Sequence, residues 1–324
     1  MNRRHILTLG AAPLAVALSA RAQAPWPNRV VTIVVPFPAG GQADLAARPV
    51  AAALERLLKQ PFVVENRGGA GGGVGNAAVA RAEPDGYTLL MTLSSLAVLP
   101  EADKLFDRKP SYDVSQLAPV ARVLADPTVL AVPASAPWRS VKALVEDASA
   151  RPGMIPYGSS GPYGTLHVAM EMFANAAGIK LLHVPYRGAG PAVTGILSGQ
   201  IQALASAPGV IKPQVEAGAM RVLANWGAER VPSFPDVPTF KELGYPEVEF
   251  YIWAGLFTPR GLPDAVTARL AAAVRQVMDE PEIRRTFEAA GSPPAYQDSA
   301  AFARFVEADS ARLIKAVAKI GKVE

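Results

Sequence analysis

Apolar residues recur along this chain with two alternating periods. Val30 to Val35 is a β-branched run suited to a buried strand, and Pro36 and Pro38 end it by removing backbone donors. Leu45, Val50, Leu54, Leu57 and Leu58 then follow at helical spacing between Ala43 and Lys59, with Pro49 marking either a kink or the first turn of the main helix. Further strands are predicted at 62–65, 87–93, 117–124 and 128–132, with a short helix at 76–81 and a helix at 141–150 capped by Ser140. Next come strands at 155–158, 180–185, 201–205 and 219–224. Between them lie a helix at 166–177 stopped by Gly178 and one at 192–198 entered through Pro191. A strand at 250–257 and helices at 263–278 and 300–320 close the pattern. Strands alternating with helices predict an α/β fold with mostly parallel sheets.

Three of the strand-to-helix turns are rich in glycine: 34–44, 157–167 and 183–191. Glycine lets the backbone bend sharply and approach a ligand, and the amides that open the following helix have no partner within it. Three helix N-termini converging on one cleft would form a site for a small anion. A fourth glycine run, at 66–75, contains Gly73, Gly75 and Ala78 in a loose G-x-G-x-x-A pattern. The strand before it ends too early, and Glu83 and Asp85 come too soon to contact a ribose, which argues against a dinucleotide loop. Ser94 and Ser95 cap the element after the 87–93 strand and are expected to face the same cleft.

A chain of 324 residues suggests about two domains. Asp126-Pro127 reads as the first crossing between lobes, and the turn-rich stretch 225–238 as the return, giving a discontinuous lobe of 25–125 with 226–324 and a second lobe of 126–225. Two crossings suit closure around a ligand. Residues 1–24 read as an export signal: Arg3 and Arg4, an apolar stretch from Ile6 to Ala20, and small-x-small cleavage patterns ending at Ala22 and Ala24. The paired arginines suit the general or the twin-arginine export route. Arg3, Arg4 and Arg21 leave with that segment, so the formal net charge falls from +4 to +1. A nearly neutral mature chain offers no electrostatic footprint for nucleic acid or anionic lipid. The chain has no cysteine, so it has no disulfide, thiolate nucleophile or cysteine metal site. The expectation is a soluble periplasmic monomer without a metal or cofactor.

Several motifs occur in a specific order: Val-Pro-Phe-Pro-Ala-Gly-Gly from Val35, Glu-Asn-Arg at 65–67 with its glycine run, and Pro84-Asp85-Gly86-Tyr87. They are followed by Tyr157-Gly-Ser-Ser-Gly161, Val184-Pro-Tyr-Arg-Gly188 and Phe234-Pro-Asp-Val-Pro238. In this order and spacing, the chain resembles the periplasmic solute-binding receptors of tripartite tricarboxylate transporters, the Bug family, over nearly all its mature length. The resemblance implies a type II periplasmic binding fold, two α/β lobes around a ligand cleft joined by a two-strand hinge. It also implies a small carboxylate as cargo and membrane transporter subunits, or a sensor kinase, as partners. By the same resemblance Ser159, Ser160, Gly161, Thr165, Gly188 and Ala189 grip a carboxylate group. Phe37, Pro38, Ala39, Gly40, Gly41 and Asp44 form the opposite wall, and Ser94 and Ser206 face the cleft. Arg67 and Arg187 are candidate assistants.

The chain departs from the family pattern at two places. Pro162-Tyr163 moves Gly164-Thr165 one position later than usual, and Ala205-Ser206-Ala207 stands where many relatives have a bulky residue, an acid and an asparagine. The second change predicts a roomier, less acidic pocket that favours a plain or aromatic acid over an ammonium-bearing ligand.

The alternative is a hydrolase. Its only histidines in the mature chain would be His167 and His183, Gly158 to Pro162 does not complete G-x-S-x-G, and no acid is placed to orient an imidazole. No catalytic residue is assigned. Trp253 is expected to lie nearest the cleft among the tryptophans.

Overall fold

The computed structural model describes residues 26–323; the export-signal reading of 1–24 lies outside them. The chain opens with β1 (Val31–Val35), α1 (Gln42–Leu58), β2 (Phe62–Asn66), α2 (Gly73–Ala80), β3 (Thr88–Leu93) and α3 (Ser95–Leu105). Then come β4 (Leu117–Pro127), β5 (Val129–Pro133), α4 (Val141–Ala150), β6 (Pro156–Ser159), α5 (Thr165–Ala177), β7 (Leu182–Pro185) and α6 (Ala189–Leu197). The remainder is β8 (Ala203–Ser206), α7 (Pro208–Glu216), β9 (Met220–Asn225), β10 (Tyr251–Pro259), α8 (Asp264–Met278), α9 (Pro281–Ala290), β11 (Pro294–Gln297) and α10 (Ser299–Ile320).

These strands form two sheets, one ordered β11-β4-β10-β3-β1-β2 and the other β7-β6-β8-β5-β9. The expectation of mostly parallel sheets needs correcting. β1 pairs in parallel with β2 and β3, and β6 with β7 and β8, but β10 runs antiparallel to β3 and β4, and β5 antiparallel to β8 and β9. The right-handed strand–helix–strand units lay down parallel neighbours, while the strands that carry the chain between sheets enter from the far end. Both crossings meet at Thr128 and Trp226. Thr128 N–H donates to the Phe250 carbonyl (3.1 Å), Trp226 N–H to the Thr128 carbonyl (2.8 Å), and Phe250 N–H to the Trp226 carbonyl (2.9 Å).

Pro49 lies inside one continuous helix, so the two-piece alternative for α1 does not hold. A single proline costs one helix hydrogen bond, and the buried face of Ala46, Ala47, Val50, Ala53 and Leu54 outweighs it. The sequence pattern missed α7, α9 and β11, and left the element after Ser94-Ser95, now α3, without a type. α7 opens on Pro208-Gly209 and contains Pro213, and β11 is four residues with no apolar alternation. Trp253 does not face the cleft: its indole N–H donates to Asp309 (2.8 Å) and its ring packs against Phe302 and Phe305 beneath α10. Alternation along β10 turns its neighbour Ile252 the other way.

Candidate functional site

A small, nearly closed cavity lies between the two sheets, about 20 Å³ in volume. That is room for about one water. Four helices deliver their first turns to its wall: Gly41 and Gln42 from α1, Thr165 and Leu166 from α5, Ala189 from α6, and Ala207 and Val210 from α7. Phe37, Leu93, Ser160 and Ile252 complete it. None of the four helices has a side chain capping its N-terminus, because the residues at those positions are Gly41, Gly164, Gly188 and Ala207. Their free amides and the positive ends of the helix dipoles are therefore available to an anion.

No lining residue carries a charge. The polar side chains are Gln42, Ser160 and Thr165, each nearly fully buried, and Gln42 Oε1, Ser160 Oγ and Thr165 Oγ1 have no hydrogen-bond partner. Buried hydroxyls are normally satisfied, so the pair on the α5 side stands ready for an acceptor. Behind Gln42 lies Asp126, 2% exposed, whose carboxylate accepts from Gln42 Nε2. Burial pushes the Asp126 carboxyl up to about 7, against the lowering effects of the Ser292 and Gln42 side chains.

Of the site residues singled out from sequence, Phe37, Gly41, Ser160, Thr165 and Ala189 line this cavity, and the others do not. Asp44 serves the loop. Its carboxylate accepts from Arg48 (2.9 Å), Asn66 (2.9 Å) and the Gly40 N–H (3.1 Å), and, against the cost of burial, these bonds hold its pKa below the usual carboxylate range. Pro38 and Ala39 meet the start of α6: a Cβ on Gly188 would fall 2.8 Å from Pro38 Cδ. Ser159 Oγ is used internally, 2.6 Å from His183 Nε2 and 3.1 Å from the Gly161 N–H that donates to it. Ser94 and Ser206 are fully buried with unpartnered hydroxyls, and each is next in sequence to a lining residue, Leu93 and Ala207. Arg67 pairs with Glu65 (2.7 Å) at the surface, and neither Arg67 nor Arg187 lines the cavity. Ala207 lines the cavity together with Leu93, Leu166, Val210 and Ile252, and with no acidic residue.

The glycine run and the 161–164 loop close over the site. Gly71, at φ +63°, sits where a Cβ would lie 3.2 Å from Leu99 and 3.4 Å from the Pro162 carbonyl, so glycine eases both the left-handed backbone and the close approach of the two loops. Tyr163, the residue that displaces Thr165 along the chain, takes φ +53°. Its backbone N–H donates to His167 Nδ1 (3.0 Å), and its hydroxyl donates to the Gly321 carbonyl (2.7 Å) and accepts from the Val323 N–H (2.9 Å). The displaced loop thus clasps the C-terminal segment, and Thr165 still reaches the cavity. A larger open groove of about 650 Å³ between α3 and α10 contains none of the residues singled out from sequence.

The family described as "Tripartite tricarboxylate transporter family receptor" matches residues 46–322. The chain belongs to this receptor family. It is 34% identical to protein BugT of Bordetella pertussis over 270 residues, 83% of this chain and 82% of that protein. Two solved structures are close in fold. One is an R. palustris protein with adipate, at TM-score 0.86 and 32% identity, covering 91% of this chain and 98% of that one. The other is the MatC protein of Rhodopseudomonas palustris with bound malate, at TM-score 0.83 and 28% identity, covering 90% and 99%. This receptor is therefore a type II periplasmic binding fold and a solute-binding protein, not an enzyme. Its Ser159–His183 pair is a structural bond inside a buried stack with Tyr157 and His167. Among the described residues no helix is long and apolar enough to cross a membrane.

The sequence missed Gln42, Leu93, Leu166, Val210 and Ile252 as lining residues, whereas Ala207 was already expected at the pocket through the 205–207 departure. Gln42 was within reach, since it is the first helical residue after the double glycine. Val210 was hidden with α7 itself.

Proposed function

We propose that this receptor captures a small carboxylate in the cleft between two lobes, 25–125 with 226–324 and 126–225, and delivers it in the periplasm to membrane transporter subunits. The observation that carries this reading is the convergence of four uncapped helix N-termini on a cavity without a charged side chain, where Ser160 and Thr165 keep unpartnered hydroxyls. Adipate and malate in the two related structures support the ligand class. Each hydrogen bond to an ionised carboxylate contributes about 1.5–3 kcal/mol and each helix end about 0.3–1. A few such contacts reach the roughly 8 kcal/mol of micromolar binding.

The small cavity means that the ligand enters only when the lobes part, turning about the crossings at Thr128 and Trp226. The mature chain, cleaved after Ala22 or Ala24, acts as a monomer. Thermal unfolding of stripped protein against a panel of mono-, di- and tricarboxylates tests the reading. At a hundred times Kd, binding adds about 2.7 kcal/mol and raises the midpoint by several degrees. No shift with any carboxylate would refute the reading.

A further inference from the structure

Gln42 differs from every other polar group around the cavity. It is the first residue of α1, 3% exposed, and it lines the space directly. Its amide nitrogen is committed to Asp126, so the carbonyl oxygen is the end left over, buried and unpartnered. The Ser160 and Thr165 hydroxyls can donate or accept as a ligand demands, whereas an amide oxygen only accepts. Leu93, Leu166, Val210 and Ile252 supply no polar group that could satisfy it. A ligand part that meets Gln42 must therefore bring a donor. A second carboxylate would set acceptor against acceptor. An ammonium would need a facing anion, and none lines the cavity. A hydroxyl meets the requirement without adding charge.

We propose that Gln42 is the specificity-determining residue of the cleft, accepting through Oε1 a hydrogen bond from a ligand hydroxyl, so that the receptor selects hydroxycarboxylates over the same acids without the hydroxyl. The proposal rests on the carboxylate reading of the site. Asp126 is a positioning residue: its carboxylate takes the amide N–H and thereby turns the oxygen toward the ligand. Asp126 sits at the end of β4, paired in register with Ile252, which anchors the arrangement to the strands that cross between the sheets.

The test is calorimetric titration at about pH 8, above the Asp126 titration, with matched probes: malate against succinate, lactate against propionate, mandelate against phenylacetate, hydroxybenzoate against benzoate, and alanine against lactate. In the wild type at least one hydroxy acid binds about tenfold or more tighter than its partner, the scale set by leaving a buried acceptor unpaired. Gln42→Leu removes that preference. Asp126→Asn, which still offers an oxygen to the amide nitrogen, keeps it, and Asp126→Leu, which offers none, reduces it. The readout is a ratio of two affinities on one sample, so partial loss of folded protein cancels. Equal binding within every pair, a preference that survives Gln42→Leu, or alanine binding tighter than lactate would overturn the proposal while leaving the carboxylate site standing. Failure of every acid to bind would overturn both.

Discussion

Gly190 offers a way to separate closure of the cleft from the integrity of the fold. It is the second residue of α6, and a Cβ built on it would lie 2.9 Å from the Ala39 carbonyl oxygen, with no other neighbouring atom within 4 Å. That oxygen belongs to the loop between β1 and α1, on the other sheet's side of the cleft. A carbon that close to a backbone oxygen forces the loop to shift, and overpacking of this kind costs about 1–3 kcal/mol. The cost falls on the closed form alone. In the open form Gly190→Ala sits in a helix, where alanine is better than glycine by up to about 1 kcal/mol. On the closure proposed above, the variant binds the best carboxylate of the panel about five- to 150-fold more weakly. The thermal midpoint of the ligand-free protein is unchanged or slightly raised. Calorimetry gives the affinity, and small-angle scattering of the ligand-free variant gives a larger radius than the wild type. An affinity within about twofold of wild type would show that Ala39 and α6 do not meet in the bound state, and the closure argument would fail.

Tyr163→Phe removes both hydrogen bonds to the C-terminal segment while keeping the ring against Phe106 and His167. It is expected to lower the urea midpoint by the equivalent of about 1–3 kcal/mol and to speed ligand release in stopped-flow. Unchanged release would confine the clasp to stability. Asp126 is carried from 3.8 to about 7 by burial, so the folded state holds its proton more tightly than the unfolded one. Stability from this group is therefore full below about pH 4 and is lost as pH rises through about 7, by about 4 kcal/mol for three units. Asp126→Asn removes that slope and stabilises the protein at about pH 8, as urea unfolding at several pH values would read; an unchanged slope would count against a buried titrating carboxyl. His167 and His183 work in the other direction. Burial lowers them to about 3 and about 4, so their contribution is present above about pH 6.5 and is lost as pH falls toward those values. The two together outweigh Asp126, and the wild type loses stability on acidification below about pH 6.5, which the same titration would reveal.

The helices were legible because their apolar residues recur on one face, and β1 and β3 because each is a short, almost wholly buried apolar run between turn residues. β1, β3, α1, α5 and α10 all fall within a few residues of the positions that their apolar spacing indicates. The direction of the crossing strands was not legible, since the residue pattern of β4, β5 and β10 reads the same whichever way the strand runs. The glycine-rich turns identified three of the four helix ends correctly as cavity walls, through Gly41, Thr165 and Ala189. The fourth was lost because Pro208-Gly209 and Pro213 mask the helical period of α7. Asp44 and Ser159 were read as ligand contacts because they sit in these loops. Their side chains accept from the neighbouring amides of Gly40 and Gly161 and so hold the loops in shape, and neither lines the cavity. Sequence position alone could not separate a residue that shapes a loop from one that faces the cavity.

Without charged lining residues, the receptor handles an anion in a particular way. A buried lysine would bind the carboxylate strongly, but its desolvation would cost several kcal/mol whenever the lobes closed empty, and its attraction would slow release. Backbone amides at helix ends carry only partial charge, are already fixed by the helices, and lose little water when the cleft shuts. Closure of the empty cleft then buries mainly apolar surface from Phe37, Leu93, Leu166 and Ile252 and the meeting glycine loops. The difference between closing empty and closing loaded reduces to the hydrogen bonds that the ligand itself completes, at Ser160, Thr165, the four helix ends and Gln42. Because Gln42 adds an acceptor where every other group can donate, it is the one position where the chemistry of the cargo, beyond its carboxylate, can bias that difference. On the proposed reading, a receptor that hands over its cargo gains from such an arrangement: selectivity comes from one neutral contact, and no oppositely charged side chain has to be pulled from the carboxylate when the lobes reopen.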